Sequence, residues 1–177
     1  MLDMYLWFEE PTGGAKEIKG EAQDKDIRDK ESGAQPIKIK NFSFEIENAT
    51  TIGSASGGAS SGRCVLKPFT IAKVTDSCSP DFFTACATGG HYGRATILLR
   101  KDNKPYLRYT FSMCFVTKVA WSGGEGDDSP GEGIDFAYGA LKIMYYPQGK
   151  DGVTINKPKI SIWNQVNNAP TETVTQH

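Results

Sequence analysis

The sequence has no surplus of either charge. Its 177 residues set 20 Lys and Arg against 21 Asp and Glu, a formal net charge of −1. Chains that grip nucleic acid draw most of their affinity from basic groups on phosphates, so nucleic acid is excluded as the expected partner. Long apolar runs are missing too. Nothing approaches the roughly 18–20 apolar residues of a membrane span. The N-terminal MLDMYLWFEEP has no basic start and is broken by Asp3, Glu9 and Glu10. A secretory leader needs about 7–15 uninterrupted apolar residues. The expectation is a chain made in the cytoplasm, not inserted in a membrane, that is exported by a route reading no cleaved leader.

Chemistry-bearing residues are equally sparse. The only histidines are His91 and His177. His91 follows Gly89-Gly90, which suits a loop or helix cap. Its one conceivable partner, Cys86, falls on the apolar face of a predicted helix, where a thiol is inert. Cys64, Cys78, Cys86 and Cys114 form no C-x-x-C and no paired ligand spacing, so neither a zinc site nor a disulfide framework is expected, and free, mostly buried thiols are. Residues 58–62 have the form G-x-S-x-G, yet no helix follows as a nucleophile elbow requires. Glu125, Asp127, Asp128 and Glu132 lack the order of an EF-hand. The reading is of a non-enzyme with no catalytic residue, no metal ligand and no cofactor.

What the sequence does have is alternation. From Leu107 to Trp121 the odd positions read Leu, Tyr, Phe, Met, Phe, Thr, Val, Trp. That predicts one long strand with its odd face buried, the kind that wraps in a barrel. Further strands are predicted over residues 4–8, 36–47, 65–74, 94–101, 134–146 and 159–163. Within 36–47 the apolar phase slips from Ile37 and Ile39 to Phe42, Phe44 and Ile46, which predicts a β-bulge near Lys40 and Asn41 that keeps both sets in the core. A second slip falls at Gly139, a residue suited to a bulge or corner. One helix is predicted at 79–89, with Ser79 as N-cap, Pro80 in its first turn and Gly89 closing it. Residues 17–31 mix both charges densely and read as a solvated segment. The loop Gly53, Ser54, Ala55, Ser56, Gly57, Gly58, Ala59, Ser60, Ser61, Gly62 and Arg63 is too rich in Gly and Ser to hold a structure of its own. The fold class is therefore mainly β: an antiparallel β-barrel of two packed sheets with one flanking short α-helix, as one domain over 1–177 with a C-terminal extension after about residue 164.

Several blocks in order carry a resemblance. They are Met4-Tyr5-Leu6-Trp7, Ile18-Lys19-Gly20-Glu21-Ala22, Phe42-Ser43-Phe44, Phe69-Thr70, Ser79-Pro80, Ala85-Cys86-Ala87-Thr88-Gly89, His91-Tyr92, Ile134-Asp135-Phe136-Ala137-Tyr138 and Tyr146-Pro147-Gln148. On these the chain resembles the haemolysin-coregulated protein (Hcp) family, the tail-tube subunit of bacterial type VI secretion systems, over nearly its whole length. It departs from the family at Ala22, where Gly-Glu-Ser is usual, in an insertion at 10–15, and in a longer tail.

The resemblance implies a phage tail-tube-like barrel and hexameric rings stacked into a tube. A contractile sheath drives that tube out of the cell with a spike protein at its tip, and the ring lumen carries small secreted effectors. With Phe42 and Phe44 turned to the core, Ser43, Glu45 and Glu47 take the opposite face and are the expected lumen contacts. The loop 53–63 is the expected subunit-interface loop. The alternatives are a phage-like tail tube of another contractile device and a monomeric barrel with a small ligand inside.

Overall fold

A computed structural model describes residues 1–31, 33–52, 59–60, 62–149 and 157–174. The strands, in chain order, are β1 (Leu2–Thr12), β2 (Ile37–Lys38), β3 (Asn41–Ser43), β4 (Ile46–Asn48), β5 (Thr51–Ile52), β6 (Ala59–Ser60), β7 (Cys64–Leu66), β8 (Phe69–Val74), β9 (His91–Lys101), β10 (Lys104–Ser122), β11 (Gly131–Ala137), β12 (Ala140–Tyr145) and β13 (Lys159–Asn164). Helix α1 spans Lys25–Lys30 and α2 spans Ser79–Thr88.

Nine strands form one sheet whose path runs β2-β1-β9-β10-β11-β8-β3, with β12 on β10 and β13 on β12. Its two ends are β2 and β3, neighbours in the chain. Between them Ile39 N–H donates to the Met4 carbonyl (3.2 Å) and Lys40 N–H to the Ala72 carbonyl (2.8 Å). One short segment thus ties these two edges together and closes the barrel along this path, leaving β13 as the edge of the side branch. The expected bulge near Lys40 is this transfer: Ile37 and Ile39 are buried beside β1, and Phe42 packs from the β8 side.

Strand β10 spans both halves of the barrel, pairing with β12 through Ser112 and with β11 from Phe115 onward. Its odd face is not buried throughout. Phe111 is in the core, but so are Cys114 and Val116, and Val119 then returns to it. The first slip is Met113, whose φ of 58° is left-handed; the second is a bulge between Val116 and Lys118. Two slips cancel, so the sequence reads as unbroken alternation. Met113 does not slip alone. Glu10 of β1 has φ 59°, and Gly93 of β9 stands between them at the same level. A Cβ on Gly93 would meet the Glu10 carboxylate at 2.1 Å, so a larger residue there would have to displace the Glu10 side chain.

The core is aromatic. Phe69 stacks on Phe111 (4.1 Å between centroids) and on Phe136 (4.5 Å), and Phe8 packs against Tyr92 (4.8 Å). These rings fill the barrel interior. Helix α2 seats Phe82 and Ala85 on them and ends at Gly89, φ 70°, in a left-handed cap. Ser79 is not its N-cap, which is Cys78; the Ser79 hydroxyl instead accepts from Asp76 N–H at 3.0 Å.

The segment 17–31 folds rather than staying solvated. Asp24 caps α1 through Ile27 N–H (3.0 Å), and Ile27 and Ala34 pack with Tyr5, Trp7 and Leu98 as a second cluster outside the barrel. No described helix is long and apolar enough to cross a membrane.

Candidate assembly surfaces

The hairpin of β4 and β7 leaves the barrel and exposes apolar side chains. Ile46 is 57% exposed and Val65 44%. Ile46 is therefore not in the core with Phe42 and Phe44, because the chain has left the barrel by then. The hairpin root is fixed. The Arg63 guanidinium donates to the carbonyls of Gln165 (2.5 Å) and Val166 (3.2 Å), and the Gln165 side chain accepts from Leu66 N–H (3.0 Å). Beyond the root the backbones of β5 and β6 pair, Thr51 with Ser60 and Ile52 with Ala59. Of the expected interface loop, Gly53, Ser54, Ala55, Ser56, Gly57, Gly58 and Ser61 lie outside the described residues.

The three expected lumen residues are all exposed. Ser43 pairs with Thr70 in register, and with Phe44, Glu45, Lys67 and Pro68 it lines a shallow depression of about 370 Å³. Glu47 lies apart on β4, where it forms an ion pair with Lys67 at 3.2 Å. Ser43 and Glu45 are thus brought together; Glu47 joins them only through the lysine.

A larger cleft, about 630 Å³, opens where Glu10, Gly93 and Met113 slip phase. Arg94 and Ser112 line it, as do Glu172 to Val174 of the C-terminal segment. That segment is tied down. Buried Asn164 donates to the Thr173 carbonyl (2.9 Å) and accepts from Val166 and Asn167 N–H, and Glu172 pairs with Lys142 at 3.1 Å. His91 stacks on Phe115 at the cleft margin (4.8 Å). Sequence reasoning had no signal for this cleft, because left-handed Glu10 and Met113 carry no residue-type mark.

Two buried ionic groups were also missed. Lys73, 1% exposed, donates to Asp76 (2.8 Å), Glu132 (3.0 Å), Ser79 (3.2 Å) and the Val74 carbonyl (2.7 Å). Burial alone would push its ammonium down, but the Asp76 and Glu132 carboxylates hold it above its ordinary value. The network pins the start of α2 to β8 and β11, and Glu132 also accepts from Trp121 Nε1 (2.8 Å). Trp121 and Phe83, each about half exposed, face each other beside it. A legible sign was present: Lys73 follows Phe69 and Ile71 at inward positions of one strand. On the outer face, Arg100 pairs with Asp24, burying a second charge beneath α1. Desolvation raises the Asp24 carboxyl, yet the Arg100 hydrogen bond and the Ile27 N–H outweigh it and hold the pKa below its ordinary value.

All four cysteines are free, with Cys78 and Cys114 buried and their thiols pushed up by desolvation. No cluster of three His, Cys, Asp or Glu side chains able to hold a metal occurs among the described residues.

Comparison with known proteins bears on these surfaces. The family model described as "Type VI secretion system effector, Hcp" matches residues 5–145. Protein hcp1 of Pseudomonas aeruginosa is 27% identical over 103 residues, covering 56% of this chain and 64% of that protein, so the match spans less than two thirds of the relative's length. Among solved structures, one described as a type six secretion system protein superposes with a TM-score of 0.82 at 22% identity, covering 96% of this chain and 99% of that one. Hcp1 from Salmonella typhimurium gives 0.69 at 24%, covering 94% and 97%. The sheath–tube complex of an extracellular contractile injection system gives 0.53 at 10%, covering 80% and 88%. At these identities the structures establish a shared fold.

Proposed function

The chain belongs to the type VI secretion system Hcp family, and from that membership we propose that it is a structural subunit of the tail tube. In this reading it forms hexameric rings that stack and are exported through the secretion system, with a spike protein at the tube tip and a contractile sheath around it. The work is mechanical and calls for no catalysis. The observation that carries the reading is the hairpin: a closed, aromatic-filled barrel leaves no sheet edge open along its closed path, yet projects a rigidly rooted arm with exposed Ile46 and Val65. Apolar side chains held out on such an arm are best satisfied by another protein surface. In this reading the loop 53–63 is a contact with the adjacent subunit. Ser43, Glu45 and Glu47 face the lumen and meet the cargo, a small secreted effector. A monomeric ligand-binding barrel is disfavoured, because aromatic rings occupy the interior.

Light scattering and negative-stain microscopy of the purified protein test this. Rings with the mass of a hexamer are expected, and a monodisperse monomer at high concentration would refute it.

A further inference from the structure

The arm has no sheet of the barrel to hold its direction. Among the described residues β4 and β7 pair only with each other, in a two-stranded sheet separate from the nine-stranded one. A lone two-stranded hairpin is marginal in water, so its orientation has to come from contacts outside it. Here those contacts converge on one residue. Gln165 follows β13, and each of its polar groups serves a different neighbour. Its side-chain oxygen accepts from Leu66 N–H of β7 (3.0 Å), and its carbonyl accepts from the Arg63 guanidinium (2.5 Å). Its side-chain amide donates to the Tyr138 carbonyl (2.8 Å) and its backbone N–H to the Gly139 carbonyl (3.0 Å), at the corner between β11 and β12. Leu66 is buried, so its N–H is costly to leave unpaired.

Gln165 is itself held in place. Asn164, fully buried before it, accepts from Val166 N–H (2.9 Å) and Asn167 N–H (3.0 Å) and so closes the turn in which Gln165 sits. The same side chain donates to the Thr173 carbonyl (2.9 Å), folding the rest of the segment back. That returning stretch packs on the corner: a Cβ on Gly139 would meet Val174 at 3.0 Å and Val166 at 3.3 Å. One turn therefore grips the corner of the barrel on one side and the root of the arm on the other.

We propose that Gln165 is the positioning residue of the arm: it clamps β7 to the β11–β12 corner and thereby sets the direction in which Ile46 and Val65 are presented. The barrel does not need the clamp to fold, because its core lies on the other side of that corner, among the aromatic rings. On the tube reading above, a fixed arm reaches its partner already ordered, and association is spared the cost of ordering it. The residues just after Asn164 then belong to the assembly machinery rather than to an appendage.

Hydrogen exchange read by mass spectrometry on the full chain, at a concentration below ring assembly, tests it. Gln165→Leu keeps the bulk and removes both side-chain hydrogen bonds. Amides of β4 and β7 should then exchange about tenfold faster, the scale expected when such bonds are lost, while the slow amides of β9 and β10 keep their wild-type rates. Arg63→Gln, which opens the other half of the clamp, should act in the same direction. The protein concentration at which half the chains are in rings should rise with Gln165→Leu by about tenfold as well. Unchanged exchange in the arm overturns the proposal. So does equal acceleration in β9 and β10, since Gln165 would then only stabilise the fold. Rings that assemble at the wild-type concentration on a loosened arm overturn its role in assembly and leave the tube reading standing. A wild-type protein that forms no rings refutes the tube reading, and the exchange rates alone then decide the clamp.

Discussion

Lys73 shows how one charge can organise a helix start. It lies inward on β8 where alternation calls for an apolar residue, and it survives there because two carboxylates, a hydroxyl and a carbonyl surround it. Removing one partner of a buried ionic group leaves the others uncompensated, which typically costs about 3–5 kcal/mol. Lys73→Met should therefore lower the urea midpoint substantially with the slope unchanged. Adding Glu132→Leu should recover much of the loss, since the pair is then replaced by apolar packing. A midpoint that falls further in the double variant would show that Glu132 stabilises through Trp121 rather than through Lys73. The alternation Phe69, Ile71, Lys73 made the position legible, but its partners come from β11 and the turn before α2. No local pattern ties residue 73 to residue 132.

Elements were legible where their signal was local and illegible where two long-range terms compete. Helix α2 is written in Pro80 and Gly89. The break at Gly139 is equally visible, dividing β11 from β12. The segment 17–31 misleads because its charges look solvated, whereas Asp24 is a cap and a counter-ion together: it caps Ile27 and neutralises Arg100 across a tertiary contact. The β2–β3 transfer misleads for the same reason. A phase slip says that a strand changes faces, but only the closed barrel says that it also changes neighbours. In β10 two slips cancel and leave no trace.

For α1 the consequence is testable by pH. The Asp24 carboxyl is held below its ordinary value, so its contribution to stability is full above the unfolded carboxylate range, near about 3.9, and is lost as pH falls through the lower folded value. Asp24→Ala should lower the melting temperature strongly at pH 7, since it loses a cap worth about 1 kcal/mol and strands Arg100. The gap between variant and wild type should narrow as pH falls below 4. A gap independent of pH would mean that the carboxylate charge is not what holds α1 down.

At the scale of the whole molecule, near-zero net charge and an exposed apolar arm point the same way, since neither strong self-repulsion nor a fully polar surface opposes association. Two surface substitutions separate the lateral contact from the lumen. Ile46 is 57% exposed and makes no core contact, so Ile46→Asp should change the monomer's stability by no more than about 0.5 kcal/mol, the usual range for surface positions. In a ring the same aspartate would be buried against a neighbour, and burying an unpaired charge is costly. Ring assembly should therefore collapse while circular dichroism and melting temperature hold. Ser43 lines the depression with Glu45, at the exposed end of β3, where a larger side chain meets solvent rather than the core. Ser43→Trp should leave ring mass unaltered and reduce the effector recovered with the rings. Intact rings with Ile46→Asp would take the hairpin out of the lateral interface. Undiminished loading with Ser43→Trp would place Ser43 outside the lumen, with the outer wall as the remaining face of the same sheet.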